Sequence, residues 1–283
     1  MFKIIKREQF SDVTYLWEVE APDVARAAQP GHFVIVRHGK GGERIPLTIA
    51  DFDRQKGTIT LVIQAVGKTT LALMELKQGE AIDDLAGPLG QGRHFDPRKK
   101  VVCVGGGLGV APVFPQLRHF KKALGAHTIS IIGFREKGLV FWEDRFKEYS
   151  DELLITTDDG SYGQKGFVTT ALEQVLDREG DVEEVLAIGP AVMMRACVEV
   201  TKKRDIPTVV SLNPVMVDGT GMCGGCRVSV GGKMVFACID GPEFDGHKVD
   251  FDEMLLRAKR FTREEQTSLE QHKNHKCRVG LSK

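Results

Sequence analysis

The sequence lacks long apolar runs and has no excess of charge of either sign. None of its hydrophobic stretches approaches the roughly 20 residues that a membrane-spanning helix needs, and residues 1–7 lead into a strand without a signal-peptide core. The 39 basic and 39 acidic residues give a formal net charge of +0, so no overall field attracts nucleic acid or an anionic membrane. We therefore expect a cytoplasmic protein that binds neither nucleic acid nor membranes.

Histidine-based and nucleophilic catalytic patterns are also missing. The eight histidines form no HxxxH or HExxH arrangement, and no Ser/His/Asp or Cys/His order stands out. Internal repeats and low-complexity tracts are absent. We name no catalytic residue on this basis, and the candidates below are binding and ligand residues.

Hydrophobic patterning divides the 283 residues into segments of different character. Short apolar runs separated by turns predict a small antiparallel β-barrel up to about residue 95. Strands then alternate with helices, which predicts a parallel α/β sheet, and a charged tail follows a cysteine-rich loop. We expect an α+β, multidomain protein with a barrel, an α/β domain, a small cysteine-bearing domain and a charged helical tail, at 1–96, 97–207, 208–250 and 251–283.

Three segments of the barrel half carry groups suited to a phosphate-bearing cofactor. Residues 44–48 (Arg-Ile-Pro-Leu-Thr) end a strand with a guanidinium that can clamp a pyrophosphate. Residues 67–70 (Gly-Lys-Thr-Thr) begin a helix, where backbone N–H groups bind anions, and residues 86–90 form a tight turn. A solvated arginine and an ordinary N-cap are the alternative interpretations. The candidates are Arg44, Pro46, Leu47, Thr48, Gly67, Lys68, Thr69, Thr70 and Gly87.

A glycine-rich turn opens the α/β half. Residues 101–104 predict a buried strand, residues 105–109 (Gly-Gly-Gly-Leu-Gly) a turn, and Pro112 the start of a helix. Glycines allow the backbone to approach a pyrophosphate closely, although their spacing differs from the GxGxxG pattern. The candidates in this turn are Gly106, Gly107, Gly109, Ala111 and Pro112.

Further loops fall at the carboxyl ends of the predicted parallel strands, the usual binding edge of such sheets. Glu136 can accept from a ribose 2′-hydroxyl, which favours NAD, whereas Arg135 or Lys137 can hold a 2′-phosphate, which favours NADP. We expect NAD(H). For the methionines of the last loop, core packing is the alternative to binding. The candidates are Arg135, Glu136, Asp158, Asp159, Gly160, Ser161, Gly189, Pro190 and Met193.

The most specific feature is a metal loop, Asp218-x4-Cys223-x2-Cys226-x11-Cys238. A zinc site and buried free thiols are alternatives, but zinc sites usually pair one CxxC with a second CxxC or with histidines. A [2Fe–2S] cluster takes thiolates and, less often, a harder oxygen ligand, which favours these four residues as its ligands. Cys277 is a rival for the fourth position. Cys103 and Cys197 are predicted core thiols.

The barrel motifs and the glycine turn together resemble the ferredoxin–NADP reductase superfamily, in which an FAD-binding barrel precedes a nicotinamide-binding domain. Leu47 and Thr48 stand where that family has an aromatic residue and a serine. The turn from Gly105 to Pro112 is similar to the family's nucleotide turn. The resemblance implies that Asp158 to Ser161 lie near the dinucleotide and that the loop with Met193 lies near the nicotinamide.

The metal loop resembles that of the electron-transfer subunits of dihydroorotate dehydrogenase, with Asp218 at the place of their first cysteine. An aspartate there is similar to the small subunits of NADH-dependent reduced ferredoxin:NADP oxidoreductases, also called sulfide dehydrogenase subunits. The resemblance implies FAD, a [2Fe–2S] cluster and NAD(H). It also implies a larger partner subunit with another FAD and [4Fe–4S] clusters, and electron bifurcation among NADH, NADPH and ferredoxin.

Two other functions stay open. One is an electron-transfer subunit of dihydroorotate dehydrogenase or of a hydrogenase, which has the same internal path and a different partner. The other belongs to a different class of protein, a non-catalytic zinc-containing module that senses NAD(H).

Overall fold

A computed structural model describes the backbone of residues 1–280 and their side chains, except those of residues 273 and 275–280. The side chain of Cys277, the predicted rival ligand, therefore lies outside the described part, as do residues 281–283 of the predicted tail. In the part that is described, no helix is long and apolar enough to cross a membrane.

The N-terminal part is a nearly closed antiparallel barrel of seven strands in the order β6-β1-β2-β5-β4-β3-β7. Valines and isoleucines that alternate along the strands, such as Val34 and Val36, fill its core with Trp17. Two short helices interrupt the strands. Helix α2 begins where residues 67–70 predicted a helix, whereas α1 was not predicted; it begins at a proline, which suits the first helical position. The elements are β1 (Phe2–Gln9), β2 (Thr14–Glu20), α1 (Pro22–Ala27), β3 (Phe33–Arg37), β4 (Ile45–Asp53), β5 (Thr58–Gln64), α2 (Lys68–Met74), β6 (Ala81–Ile82) and β7 (Asp84–Leu89).

The central part is a sheet in the order β11-β10-β9-β8-β12-β13-β16, parallel except for its last strand. Its first strand in the chain, β8, lies between β9 and β12, so the strand order reverses there and creates a topological switch point. The elements are β8 (Lys100–Gly106), α3 (Val110–Leu124), β9 (His127–Phe134), α4 (Glu143–Tyr149), β10 (Glu152–Thr157), β11 (Gln164–Lys165), α5 (Val168–Arg178), β12 (Glu184–Ile188), α6 (Ala191–Lys202) and β13 (Thr208–Ser211).

The metal loop and a small hairpin follow β13. The last strand, β16, then returns to pair with β13, so the sheet of the α/β part continues beyond the predicted boundary at residue 207. The predicted helical tail begins with α8, and a second helix follows it, with most of its described residues exposed. The elements are β14 (Arg227–Val230), β15 (Lys233–Phe236), α7 (Ala237–Asp240), β16 (Glu243–Asp245), α8 (Phe251–Ala258) and α9 (Thr262–Gly280).

A buried polar cluster around Arg93 joins all three parts. The Arg93 guanidinium forms an ion pair with Glu184 of β12, donates to the Gln116 amide oxygen of α3 at 2.7 Å, and lies 3.5 Å from Glu243 of β16. The side chains of Arg93, Glu184 and Glu243 are only 5%, 8% and 9% exposed. Burial raises the pKa of Glu243, although Arg93 and the Gln116 amide oppose the change. Arg93 therefore lies between two buried carboxyl groups at the junction of the barrel with the other parts, and the partly exposed Arg98 also reaches Glu184, at 3.4 Å.

A second interface holds the barrel against the α/β part. Helix α3 packs on the outer side of β4, where Ala50 joins the same apolar cluster as Phe114 and Leu117. Asp51 of β4 pairs with Arg118 Nη1 at 2.7 Å. The relative position of the two binding halves is thus set by packing and by charge together.

Replacement of Arg93 by leucine should destabilise the protein strongly. The change leaves the buried Glu243 without its cation and Glu184 with the partly exposed Arg98, and breaking a buried ion pair typically costs about 3–5 kcal/mol. Arg178→Leu is the matched control, because Arg178 is 51% exposed in its ion pair with Glu152 and such surface pairs contribute at most about 1 kcal/mol. Urea denaturation of both variants measures the difference, and equal midpoints would contradict the assigned role of Arg93.

Candidate cofactor sites

The predicted flavin residues of the barrel lie on or just before β4, on β7, and at the start of α2, and β4 and β7 are the two neighbours of β3. Thr48 of β4 pairs with Phe33 of β3, and β3 pairs on its other side with β7, where Leu89 lies opposite Phe33. Pro46 is exposed and Thr48 half-buried on this outer face, and Arg44 is exposed just before β4. Leu47 points the other way, into the barrel core at 8% exposure, so a group on the outer face can meet only its backbone.

The N-terminus of α2 lies beside the start of β4. Gly67 is its N-cap residue, and the Thr70 hydroxyl accepts from Gly67 N at 3.0 Å. The Thr69 hydroxyl donates to the carboxylate of Glu43, the neighbour of Arg44, so the first two predicted segments meet. Lys68 is exposed at the first position of the helix. Arg44 thus follows a residue that contacts the start of α2, where backbone N–H groups favour an anion.

Gly87 and Gly90 allow β7 to pack closely. A Cβ on Gly87 would lie 2.7 Å from Val34 Cγ1, and one on Gly90 would lie 3.0 Å from a ring carbon of Phe33. The third predicted segment therefore continues the face that carries Thr48.

The glycine turn lies at the switch point of the parallel sheet. A Cβ on Gly106 would lie 2.2 Å from Met193 Sδ, and one on Gly109 would lie 2.2 Å from the Ile188 carbonyl oxygen. Gly107 has a φ of +55° with open space beside it, while Ala111 is buried and Pro112 half-buried in the first turn of α3. The turn thus packs against the end of β12 on one side and is open on the other. Met193 packs against this turn and also lies near the binding edge of the sheet.

The loops after β9 and β10 are held together by hydrogen bonds. Lys137 N donates to Ser161 Oγ at 2.8 Å, and Asp159 N donates to the Arg135 carbonyl oxygen at 3.2 Å. Ser161 in turn donates to Asp159 Oδ1. The side chains that these loops offer are exposed at the carboxyl edge of the sheet: Arg135, Glu136, Asp158, Asp159 and Ser161, with Gly160, and with Gly189 and Pro190 after β12.

The four predicted metal ligands lie as two pairs. Cys226 Sγ and Cys238 Sγ are 3.2 Å apart and both residues are 1% exposed. Cys223 Sγ lies 3.5 Å from Asp218 Oδ1, and Cys223 is exposed. In the described part, no three His, Cys, Asp or Glu side chains converge on one point. Two donor pairs suit a two-iron cluster, in which each iron takes two protein ligands.

Burial affects the protonation of Cys238. It raises the pKa of Cys238 to about 12, and the neighbouring Cys226 adds to the effect. The Cys238 thiolate needed for metal binding therefore requires a cation beside it. Cys103 and Cys197 are buried in the core as predicted, and burial likewise raises each pKa to about 12.

Asp218 also organises the loop. Partial desolvation acts to raise its pKa, but hydrogen bonds from Thr220 and Cys223 outweigh it and hold the pKa below the usual range. The bonds from Thr220 N and Cys223 N measure 3.1 and 2.9 Å. The carboxylate is thus kept ionised next to Cys223.

The metal loop rests on the barrel face that carries the predicted flavin residues. A Cβ on Gly219 would lie 2.6 Å from Leu89 Cδ1 and 3.0 Å from Ile35 Cγ1, and Gln91 Nε2 donates to the Ile239 carbonyl oxygen at 2.8 Å. The loop after Asp218 therefore contacts β3 and β7 directly.

Residues absent from the predicted set complete this arrangement. Glu43 links the first two barrel segments, and Arg93 ties the barrel to both other parts. Only the charge of Glu43 and its position next to Arg44 could have indicated it from the sequence. Arg93 and Glu243 are 150 positions apart, and nothing in the local pattern indicates that they meet.

The structure has an antiparallel barrel, a parallel sheet with a glycine turn at its switch point, and a thiol loop on the barrel. This combination defines a class of protein, the reductase fold of the ferredoxin–NADP reductase type with an added metal-binding domain.

Comparison with known proteins gives the same result. Residues 213–250 match the iron–sulfur cluster binding domain of dihydroorotate dehydrogenase B. A dihydroorotate dehydrogenase B (NAD(+)) electron transfer subunit homolog of Thermotoga maritima is 42% identical over 95% of this chain and 94% of its own length. The corresponding subunit of Fusobacterium nucleatum is 32% identical over 86% and 95%. The chain therefore belongs to the family of dihydroorotate dehydrogenase B electron-transfer subunits and their homologues, as its motifs predicted.

One solved structure is similar over nearly the whole chain. It is a structure of the NADH-dependent reduced ferredoxin-NADP oxidoreductase, a protein studied for flavin-based electron bifurcation. The TM-score is 0.90 at 42% identity, and the match covers 96% of this chain and 97% of the other. The predicted fold class is thereby confirmed.

Substitution of Gly109 should disrupt the glycine turn. In Gly109→Ala the Cβ meets a backbone oxygen that cannot move alone, so we expect a loss of about 1–3 kcal/mol in the free energy of unfolding and weaker NADH binding. Gly180→Ala is the control, because no atom lies within 4 Å of its Cβ position. Chemical denaturation and NADH titration measure both effects. Equal behaviour of the two variants would show that the turn is not under steric constraint.

Proposed function

We propose that this chain is an NAD(P)H-dependent flavin and iron–sulfur oxidoreductase subunit. It exchanges hydride with NAD(H) at FAD and passes single electrons through a [2Fe–2S] cluster to a larger partner subunit. The observation that carries the proposal is the contact between the metal loop and the barrel face: Gly219 packs on Ile35 and Leu89 beside the predicted flavin segment. A cluster held by the metal loop is therefore a neighbour of a flavin bound on these strands.

The barrel residues bind FAD in this proposal. Arg44 and the N-terminus of α2 hold the pyrophosphate, with Thr69 and Thr70 at the first turn of the helix. Pro46, Thr48 and Gly87 border the flavin on the outer strand face. The residue at the place of the family's aromatic, Leu47, is turned into the core, so the flavin is held without that stacking partner.

The α/β part binds NAD(H) at the switch point. The glycine turn from Gly106 to Gly109 approaches the pyrophosphate, and the loops with Glu136 and Asp158 to Ser161 hold the nucleoside portion. The exposed Glu136 carboxylate supports NAD(H) over NADP(H), because it can accept from a ribose 2′-hydroxyl. Pro190 and Met193 border the nicotinamide side.

The metal loop holds the cluster, with Asp218 and Cys223 as one donor pair and Cys226 and Cys238 as the other. When bound, these cofactors together supply hydride exchange and the conversion of electron pairs into single-electron steps. The chain itself positions them, excludes water around Cys226 and Cys238, and keeps Asp218 ionised. No side-chain acid or base is required for this chemistry, in line with the absence of a catalytic pattern.

Partners and organisation follow from the family. The proposed partner is a larger FAD- and [4Fe–4S]-containing subunit in a heterodimer or higher assembly that bifurcates electrons among NADH, NADP and ferredoxin. The similar bifurcating oxidoreductase structure supports this choice.

We propose the domain division 1–96, 97–207, 208–250 and 251–283, with β13 and β16 completing the α/β sheet. We also propose a cytoplasmic location.

One neighbouring function is favoured by a specific observation. The match of residues 213–250 to the cluster domain of dihydroorotate dehydrogenase B supports an electron-transfer subunit of that enzyme, in which the internal path is the same. Purification of the chain from its native source identifies the bound partner and separates the two functions. A zinc-containing NAD-sensing module is the remaining alternative, and the metal content decides it.

The Asp218 variants test the ligand set. Asp218→Cys should retain the cluster with an altered visible spectrum and reduction potential, because thiolate replaces a harder oxygen ligand. Asp218→Ala should lose iron. Asp218→Asn is the matched control: it keeps an oxygen that can accept the hydrogen bonds of the loop but removes the charge. If Cys277→Ser strips the cluster while Asp218→Ala retains it, the ligand assignment is wrong.

Anaerobic purification with a visible spectrum and with iron, zinc and flavin assays tests the function as a whole. About two irons and about one FAD per chain are expected, with bleaching of the flavin by NADH. Zinc without flavin would instead support the NAD-sensing module.

A further inference from the structure

A concave site lies directly behind the metal loop. Its walls come from the segment before the loop, from β14, and from the end of α8 and the turn that follows. Gly225, between Cys223 and Cys226, forms one edge, and Met254 lies in the floor. The hollow is small and partly open to solvent. The site is separate from the predicted flavin and nucleotide segments.

Three arginines line this site: Arg227, Arg257 and Arg260. In the described part of the chain, none of them has an ion pair or a side-chain hydrogen bond, and no acidic residue lies in the wall. The Arg260 guanidinium lies over the ring of Phe261, 6.0 Å from its centroid. Many other arginines of the chain, such as Arg178 and Arg204, are paired with carboxylates. The site is therefore a local concentration of uncompensated positive charge.

The Arg257 guanidinium supplies an independent sign of a ligand. Its Nη2 atom is buried and has no hydrogen-bond partner. A buried charged donor without an acceptor is costly, and the end of α8 compensates only in part, through the favourable position of a cation at a helix C-terminus. Arg257 is half-buried overall, and the described residues supply no acceptor for its buried Nη2 atom.

We propose that this site binds a small oxyanion through Arg257, with Arg227 and Arg260 at its rim. The planar guanidinium matches the paired oxygens of a phosphate or carboxylate group. The apolar floor at Met254 and Val228 lowers the local dielectric and strengthens such contacts. The anion is either free phosphate or a carboxylate, including one on an acidic side chain. In both cases it lies beside Gly225 and hence next to the metal loop.

Calorimetric titration of the full chain with inorganic phosphate tests the proposal. The protein is used as purified, with saturating NAD⁺ present so that the proposed dinucleotide site is filled. Arg257→Gln should weaken phosphate binding at least tenfold, and Arg257→Lys should bind with intermediate affinity, because it keeps the charge without the planar fork. Arg26→Gln is the control, since it makes the same charge change on the exposed α1, where Arg26 is 76% exposed.

A second variant and a second probe make the result decisive. Arg227→Gln changes an exposed wall residue and should also weaken binding even if Arg257→Gln fails to fold. Acetate is titrated alone and against phosphate: phosphate binding without acetate competition identifies free phosphate as the ligand, and competition identifies a carboxylate-compatible site. Equal phosphate affinity in the Arg227, Arg257 and Arg26 variants would overturn the proposal. The comparison holds even if the chain proves to carry no flavin or cluster.

Discussion

The arrangement of the candidate sites depends on one buried cation. Arg93 comes from the segment that leaves the barrel, and it contacts a strand of the α/β sheet, helix α3 and the strand that follows the metal loop. Because two carboxyl groups are buried around it, the three parts cannot separate without exposing or stranding charge. The positions of the barrel face, the glycine turn and the metal loop relative to one another therefore follow from this single cluster and the apolar packing around it.

Close backbone approach is the second constraint, and it explains why glycines recur in the candidate sites. At Gly109 a side chain would collide with the end of β12, and at Gly219 it would collide with the barrel. Both are places where two parts of the chain meet beside a proposed cofactor. The same lack of a Cβ that permits packing also leaves the backbone N–H groups accessible to an anion. Close packing and anion binding therefore both favour glycine at these positions.

Local patterns in the sequence predicted most of the architecture. The strand–turn–helix pattern at Gly105 to Pro112 and the alternation of strands with helices after it are present as expected, since apolar periodicity and glycine spacing are local properties. Helix α1 was missed, because a six-residue helix within a run of strands has little periodicity to detect. The return of β16 to the α/β sheet and the Arg93 cluster depend on residues far apart in the chain, which a local pattern does not contain. The predicted metal ligands lie as two pairs, Asp218 with Cys223 and Cys226 with Cys238, and their assignment as ligands of one cluster stays a prediction.

The geometry around Asp218 shows why an aspartate suits a position where related loops have cysteine. Its carboxylate accepts hydrogen bonds from Thr220 N and Cys223 N, which shapes the loop before any metal binds. A cysteine sulfur accepts such bonds only weakly, so a cysteine there depends on the metal to fix the loop. The carboxylate instead holds Cys223 in place and keeps a negative oxygen beside it. The Asp218 side chain therefore both orders the loop and supplies a charged ligand. The buried pair of Cys226 and Cys238 supplies the soft donors on the other side.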